Sequence, residues 1–151
     1  MLTTVEKVIF LQDVDIFEST STEDLALIAA ITDEVQFKSS SIIYREGDLP
    51  DSMYMVIQGK VLLQRNGKDV MTMEEKGVFG TWALFDDEPR VVTASTREDT
   101  LLLKIDKEDF YDLLADNVQI TQGILKTITR RLRNLIERVG KDPTSKAKAG
   151  V

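Results

Sequence analysis

The spacing of hydrophobic residues changes twice along the chain and divides it into three regions. In about the first thirty residues, hydrophobic side chains recur at helical intervals. From about residue 34 to residue 105 they form short runs separated by turn residues, and after Ile105 the helical interval returns. This order predicts a mainly β domain with helices at both ends.

Two helices are predicted in the first region. The second is preceded by hydroxyl and acidic residues in the segment STSTEDLALIAAI, a pattern typical of a capped helix start. The apolar face of the first helix contains Val5, Val8, Ile9 and Phe10. The apolar face of the second contains Leu25, Ile28, Ala29 and Ile31.

The middle region predicts short strands. Asn66-Gly67, between two apolar runs, is a strong hairpin signal. Strands of this length and spacing favour a sandwich, roll or barrel over a parallel α/β sheet. The predicted strands are Glu34–Phe37, Ile42–Tyr44, Met53–Gln58, Lys60–Arg65, Val70–Met73, Val91–Thr96 and Leu101–Ile105.

Two more helices are predicted after the strands. Asp106 is a candidate cap for the first, whose apolar face contains Phe110, Leu113 and Leu114. The second runs from about Val118 to Val139. The Gly-, Pro- and Lys-containing segment after it predicts a disordered tail, so we expect one domain at 1–139 and a tail at 140–151.

The long last helix has hydrophobic residues at alternating spacings of three and four, a pattern typical of a coiled-coil seam. This seam is a candidate homodimer interface; alternatively, it covers the open side of the β region. A second apolar line through Ile120, Ile124 and Ile136 allows one line to serve each purpose. The candidate dimer residues are Leu125, Ile128, Leu132, Leu135 and Val139.

Composition restricts the possible functions. The chain has no cysteine and no histidine, and no paired or triad-like arrangement stands out, so we expect neither an enzyme nor a metal site. Its net charge of −7 opposes nucleic-acid binding. We find no signal peptide and no apolar run long enough for a membrane span, which predicts a cytoplasmic protein.

Basic residues concentrate on the last helix, where a solvated cationic face is favoured over a nucleic-acid contact. They are Lys126, Arg130, Arg131, Arg133 and Arg138.

The segment FGTWALFDDEPRVVTAST, residues 79–96, carries the candidate chemistry. Gly80 permits close backbone approach, and Thr81–Leu84 fits one helical turn whose free N–H groups would attract an anion. Arg90 could hold the same anion through two parallel hydrogen bonds. The alternative is a strand-connecting turn with a solvated arginine. The acidic run Asp86–Glu88 is interpreted as a solvated loop and not as a cation site.

Three segments resemble the cyclic nucleotide-binding domain family: YREGDLPDSMYMVIQGKV, FGTWALFDDEPRVVT and TLLLKIDKEDFYDLLADN. The resemblance covers about Glu6 to Leu135, and Gly47, Gly59 and Gly80 match the family's turn glycines. It implies a double-stranded, jelly-roll-like β-roll with N-terminal helices and a C-terminal helix pair. Family transcription factors continue into a helix-turn-helix domain, and we expect none here, hence no direct DNA regulation.

The second segment resembles the family's phosphate-binding cassette. The resemblance places Arg90 where the family pairs an arginine with the cyclic phosphate, and Ala83 and Leu84 in the short helix that caps this phosphate. Thr93 matches the closing threonine. The implied ligand-binding residues are Gly80, Thr81, Trp82, Ala83, Leu84, Arg90, Val91, Val92 and Thr93.

The cassette also departs from the family pattern. Thr81 replaces the glutamate that accepts a hydrogen bond from the ribose 2′-hydroxyl, and Trp82 replaces a leucine. Val91 and Val92 replace two small residues that face the nucleotide. Loss of a charged acceptor removes about 1.5–3 kcal/mol, or roughly ten- to hundredfold in affinity.

The resemblance therefore implies a non-enzymatic regulatory module that senses a phosphate-bearing ligand. The candidate ligands are cyclic AMP and cyclic GMP, with no other cofactor, and the C-terminal helix would relay binding. The alternative is a ligand-free relic of the fold that acts as a dimerisation or protein-interaction module.

Overall fold

The computed structural model describes residues 1–141 and contains four α-helices and eight strands in this range. Two short 3-10 turns lie at Asp15–Phe17 and Thr81–Leu84. The helices are α1 (Thr4–Leu11), α2 (Thr22–Ala30), α3 (Lys107–Asp116) and α4 (Val118–Lys141).

The strands form two four-stranded antiparallel sheets, which confirms the predicted mainly β roll with flanking helices. One sheet has the order β1-β8-β3-β6 and the other the order β2-β7-β4-β5. The strands are β1 (Thr32–Phe37), β2 (Ile42–Tyr44), β3 (Ser52–Gln58), β4 (Val61–Arg65), β5 (Lys68–Met73), β6 (Val78–Phe79), β7 (Thr93–Thr96) and β8 (Thr100–Asp106).

The strand predictions hold at most positions and fail at two. The Asn66-Gly67 turn is confirmed: both residues have positive φ, 51° and 77°, and β4 pairs with β5 across them. The predicted strand Val91–Thr96 is wrong at its start, because β7 begins at Thr93. The sequence prediction also missed β6, whose two residues are too few to show a period.

The hydrophobic core has two parts that share the central strand β3. Met53, Met55 and Ile57 point toward the helices, whereas Tyr54 and Val56 point between the two sheets. All six residues from Ser52 to Ile57 are buried. A strand buried on both faces appears in the sequence as an unbroken apolar run, as MYMVI does here.

The N-terminal helices pack on the outer face of the first sheet. The predicted apolar face of α1 is wrong in part, because Val5 and Ile9 are exposed while Val8 and Leu11 are buried. In α2 the cap is confirmed: the Ser21 hydroxyl accepts a hydrogen bond from the Asp24 amide, at 3.2 Å.

Only the first half of helix α4 packs against the rest of the domain. Ile120 and Ile124 are buried in the core, and Ile128 packs against it. Further along, Leu132, Ile136 and Val139 are exposed. The described part of α4 extends to Lys141, and residues 142–151 of the predicted tail lie outside the described residues.

Candidate functional site

The 3-10 turn at Thr81–Leu84 begins with a glycine in the left-handed conformation, which confirms the expected close approach of the backbone. Gly80 has φ 74°, and a Cβ at this position would lie 2.7 Å from Nη1 of Arg90. The turn therefore starts directly against the guanidinium group, and only glycine leaves room for it.

Arg90 is buried, with 8% of its surface exposed, so it is not a solvated turn arginine. Its Nη2 donates a hydrogen bond to the backbone oxygen of Ser52 at 2.7 Å and lies 3.4 Å from Oδ1 of Asp51. Its Nε is buried and has no hydrogen-bond partner in the described part of the chain. A buried guanidinium with a donor left unpaired is a group available to an anion.

The backbone of Arg90 is held as firmly as its side chain. Its amide donates to the oxygen of Asp48 at 2.8 Å, and its own oxygen accepts from the amide of Gly47 at 2.9 Å. Arg90 thus joins the cassette to the glycine turn before β3.

The aromatic ring of Tyr44, at the end of β2, packs against the guanidinium group of Arg90. The central carbon of that group lies 3.9 Å from the centre of the Tyr44 ring, a cation–π contact. Burial raises the pKa of the Tyr44 hydroxyl to about 12, although the nearby Arg90 charge acts in the opposite direction. Tyr44 is therefore neutral at physiological pH and does not compensate the positive charge of Arg90, whose ion-pair partner is Asp51.

A cavity of about 320 Å³ opens between the 3-10 turn, the loop after it and the end of β2. Six of the nine predicted ligand residues line it: Gly80, Trp82, Ala83, Arg90, Val91 and Val92. Its other lining residues are Tyr44, Pro50, Asp86, Glu88 and Pro89. The walls are thus mainly apolar, with one buried cation and two carboxylate-bearing residues.

The remaining three predicted residues lie outside this lining. Leu84 is buried in the core under the helices. The hydroxyl of Thr93 accepts a hydrogen bond from the amide of Glu46, at 3.0 Å. Thr81 is half-buried at the start of the turn but does not line the cavity.

The two valines of the cassette have different surroundings. Val92 is buried in the core between the sheets, whereas Val91 is exposed at the cavity. The amide of Ala83, expected to cap a phosphate, donates to the oxygen of Gly80 at 3.1 Å in this structure.

The acidic loop is exposed, as predicted, and one cation, the ammonium group of Lys107, binds it. Nζ of Lys107, at the start of α3, donates to the backbone oxygen of Asp86 at 2.6 Å and also binds the carboxylate of Asp87. The hydrogen bond to Asp87 raises the pKa of Lys107. This contact, which we call the Lys107 latch, directs the Asp87 charge toward α3, and Asp87 does not line the cavity.

A chain of aromatic rings connects the cassette to the helices. Phe85 packs edge-to-face on Phe110 of α3, with ring centres 6.1 Å apart. Phe110 in turn packs on Phe17, at 6.3 Å, in the 3-10 turn that contacts α4. Phe85 therefore has a packing role, whereas Trp82 lies at the cavity with 45% of its surface exposed.

The prediction missed the groups that surround Arg90 from other parts of the chain. Tyr44, Asp51 and Ser52 precede it by 38 to 46 residues, and no local pattern joins them to the cassette. Their position in the glycine-turn segment YREGDLPDS was the available signal, because that turn and the cassette are adjacent in the fold.

Comparison with known families shows that the chain belongs to the cyclic nucleotide-binding domain family. The family model matches residues 34–117, which span β1 to the end of α3. The match includes the whole cassette and the strands that bury Arg90, and it confirms the family resemblance inferred from the sequence.

Two of the relatives are named as a regulator and a regulatory subunit. A CRP-like cAMP-activated global transcriptional regulator of Mycobacterium tuberculosis is 30% identical over 114 residues, covering 70% of this chain and 51% of that protein. A cAMP-dependent protein kinase regulatory subunit of Debaryomyces hansenii is 31% identical over 116 residues, covering 76% of this chain and 25% of that protein. The chain thus spans about half of the first relative's length and a quarter of the second's.

The N-terminal domain of a Streptomyces coelicolor transcriptional regulator has the same fold. Its crystal structure superposes with a TM-score of 0.78 at 24% identity and covers 86% of this chain and 94% of that one.

In residues 1–141, no helix combines the length and apolar character needed to cross a bilayer.

Proposed function

We propose that this domain is a non-enzymatic, cytoplasmic regulatory module that binds a phosphate-bearing ligand, cyclic AMP or cyclic GMP, in the cavity lined by Arg90. The observation that supports it most is the buried guanidinium of Arg90, which lines the cavity and retains an unpaired Nε. The phosphate would accept hydrogen bonds from Arg90, and the mainly apolar walls would contact the rest of the ligand.

Binding has a cost at Arg90. Its Nη2 already holds Ser52 and Asp51, so a phosphate either adds to these bonds through Nε and Nη1 or displaces the exposed Asp51 carboxylate. The first arrangement preserves the buried bond to Ser52. We favour it because breaking a buried bond to a charged group costs about 1.5–3 kcal/mol.

The relay to α4 would follow the aromatic contacts. A ligand that draws the 3-10 turn toward Arg90 also moves Phe85, which packs on Phe110. Phe110 contacts Phe17, whose turn supports α4 through ion pairs to Arg130 and Arg131. A ligand that binds more tightly to one arrangement of these rings than to another would therefore shift α4.

The second candidate function is a ligand-free interaction module that works through α4. It is supported by the internal partners of Arg90, which hold the residue in place without a ligand, and by the exposed apolar residues of α4. The homodimer proposed for this helix would use Leu125, Ile128, Leu132, Leu135 and Val139, of which Ile128 is already packed against the core.

Calorimetric titration of the full chain with cyclic AMP, cyclic GMP and adenosine distinguishes the two candidates. We expect a cyclic nucleotide to bind and adenosine, which lacks the phosphate, to give no heat. Binding of adenosine as tightly as cyclic AMP would contradict the role of Arg90. No heat with millimolar cyclic nucleotide would leave the interaction module as the function.

A further inference from the structure

Helix α4 meets the rest of the domain through one face, and that interface has a simple layout. Ile120 and Ile124 form its apolar centre. At its edge, Arg130 pairs with Glu18, 3.2 Å away, and Arg131 pairs with Asp15. The surface that covers this face of α4 therefore offers hydrophobic side chains bordered by carboxylates.

A neighbouring, exposed stripe of α4 repeats part of this layout without a partner in the described residues. Leu125 and Leu132 are each 57% exposed, and Val139 is 68% exposed. Lys126 and Arg133 lie beside Leu125 in one surface depression, and neither forms an ion pair within residues 1–141. We call this the free face: an apolar stripe bordered by unpaired cations.

Charge is distributed very unevenly between α4 and the body of the domain. Residues 1–117 contain 24 carboxylates and 11 lysines or arginines, a net charge of −13. Residues 118–141 contain six lysines or arginines and one glutamate, a net charge of +5. A partner for the free face is selected by this local positive charge, because like charges at an interface are strongly disfavoured.

We propose that the free face of α4 docks an acidic amphipathic segment of another protein, with apolar side chains on the Leu125–Leu132–Val139 stripe and carboxylates opposite Lys126 and Arg133. The proposal rests on the output role of α4 given above and not on ligand binding. The partner would resemble the surface that covers the face of α4 packed against the domain, where carboxylates pair with Arg130 and Arg131.

Two other occupants fit the charges less well. A second α4 would bring together two helices that each carry a net charge of +5, whereas an acidic segment would neutralise this charge. An anionic bilayer would attract α4 but repel the body of the domain, whose net charge is −13.

The test uses the full chain and two synthetic amphipathic helices with leucine at the a and d positions. One carries glutamate at e and g, the other lysine. We expect the glutamate peptide to bind at least about tenfold more tightly than the lysine peptide, with an affinity that falls as salt rises. Equal binding of the two peptides, or of neither, would overturn the proposal.

Variants of the free face sharpen the test. The double change Lys126→Glu and Arg133→Glu should reverse the preference between the peptides, and Leu132→Ser should weaken both by about tenfold. Arg97→Glu, an exposed arginine outside α4, is the matched control and should change neither. A chain that binds cyclic AMP but not the glutamate peptide refutes this inference alone.

The same protein samples are used to test whether a second copy of the chain or an anionic membrane binds the free face. Sedimentation should show a monomer at micromolar concentration, and vesicles containing phosphatidylserine should not retain the chain. A dimer that Leu132→Ser dissociates, or vesicle binding that the double variant abolishes, would contradict the proposal in favour of self-association or a membrane surface.

Discussion

The two ends of the cavity are built differently. At one end, Arg90 is buried on the Tyr44 ring, pressed against Gly80 and bonded to Ser52. At the other, the loop Asp86–Pro89 is exposed, and the Lys107 latch joins it to α3. The first end is fixed by contacts that form when the β-roll folds, whereas the second has local hydrogen bonds and the Lys107 latch.

Under the proposed function, the Arg90 end would bind the phosphate, and other residues around the cavity would set the selectivity among ligands. A fixed guanidinium requires little reorganisation and provides affinity for any suitably placed anion. The residues that differ from the family pattern are Thr81, Trp82, Val91 and Val92, and these would determine which ligand is accepted. Changes at the Arg90 end should therefore have larger effects than changes at the loop end.

The largest effect is expected at Arg90. Arg90→Met should lower cyclic-nucleotide affinity by about a hundredfold or more, because it removes charge-assisted hydrogen bonds to the phosphate. Calorimetry measures the loss, and circular dichroism checks the fold. Arg90→Lys keeps the charge without the paired donors and should recover only part of the affinity. Unchanged binding by Arg90→Met would place the ligand elsewhere.

Gly80→Ala should have the next largest effect. It places a Cβ 2.7 Å from Nη1 of Arg90 at φ 74°, so we expect weaker binding by roughly tenfold and lower stability by about 1–2 kcal/mol. Gly67→Ala is the matched control, since Gly67 has φ 77° and no atom near its Cβ. The control should lose stability alone, as measured by thermal unfolding. Equal loss of affinity in both would refute the close approach of Gly80 to Arg90 as the cause.

In the turn next to Gly80, Thr81→Glu should raise cyclic-nucleotide affinity by up to about tenfold. The longer, charged side chain offers the ribose hydroxyl an acceptor that threonine does not provide. Thr81→Gln has similar length without the charge and should gain less. A gain that persists with 2′-deoxy cyclic AMP would show that the ribose hydroxyl is not the group involved.

The smallest effect is expected from the Lys107 latch. Lys107→Gln should free Asp87 and the loop and weaken binding about two- to threefold, because an additional negative charge can then approach the anion site. Added salt should reduce the difference. Lys104→Gln, which removes a cation paired with Asp106 at 3.4 Å, is the control and should leave affinity unchanged.

The sequence predicted the fold well because its signals are local. The Asn66-Gly67 turn and the apolar run of β3 each specify structure within a few residues. The face of α1 was predicted wrongly because hydrophobic residues occur on more than one side of this short helix. Tertiary packing, which a single helix does not encode, decides which side is buried.

The site was predicted only in part, for a similar reason. The cassette itself is contiguous, so Gly80 and Arg90 could be singled out from the sequence. The partners of Arg90 come from β2 and from the start of β3, and the Lys107 latch joins positions 20 residues apart. Whether Arg90 is solvated or buried depends on these distant residues.

Arg90 also acts as a cross-link in a chain that has no cysteine. Its backbone bonds to Gly47 and Asp48 and its side-chain bond to Ser52 close a loop of about forty residues around the rim of the roll. Hydrogen bonds between these distant segments stabilise the folded state independently of any ligand. Selection for folding alone would therefore keep an arginine at position 90, whether or not the domain binds a ligand.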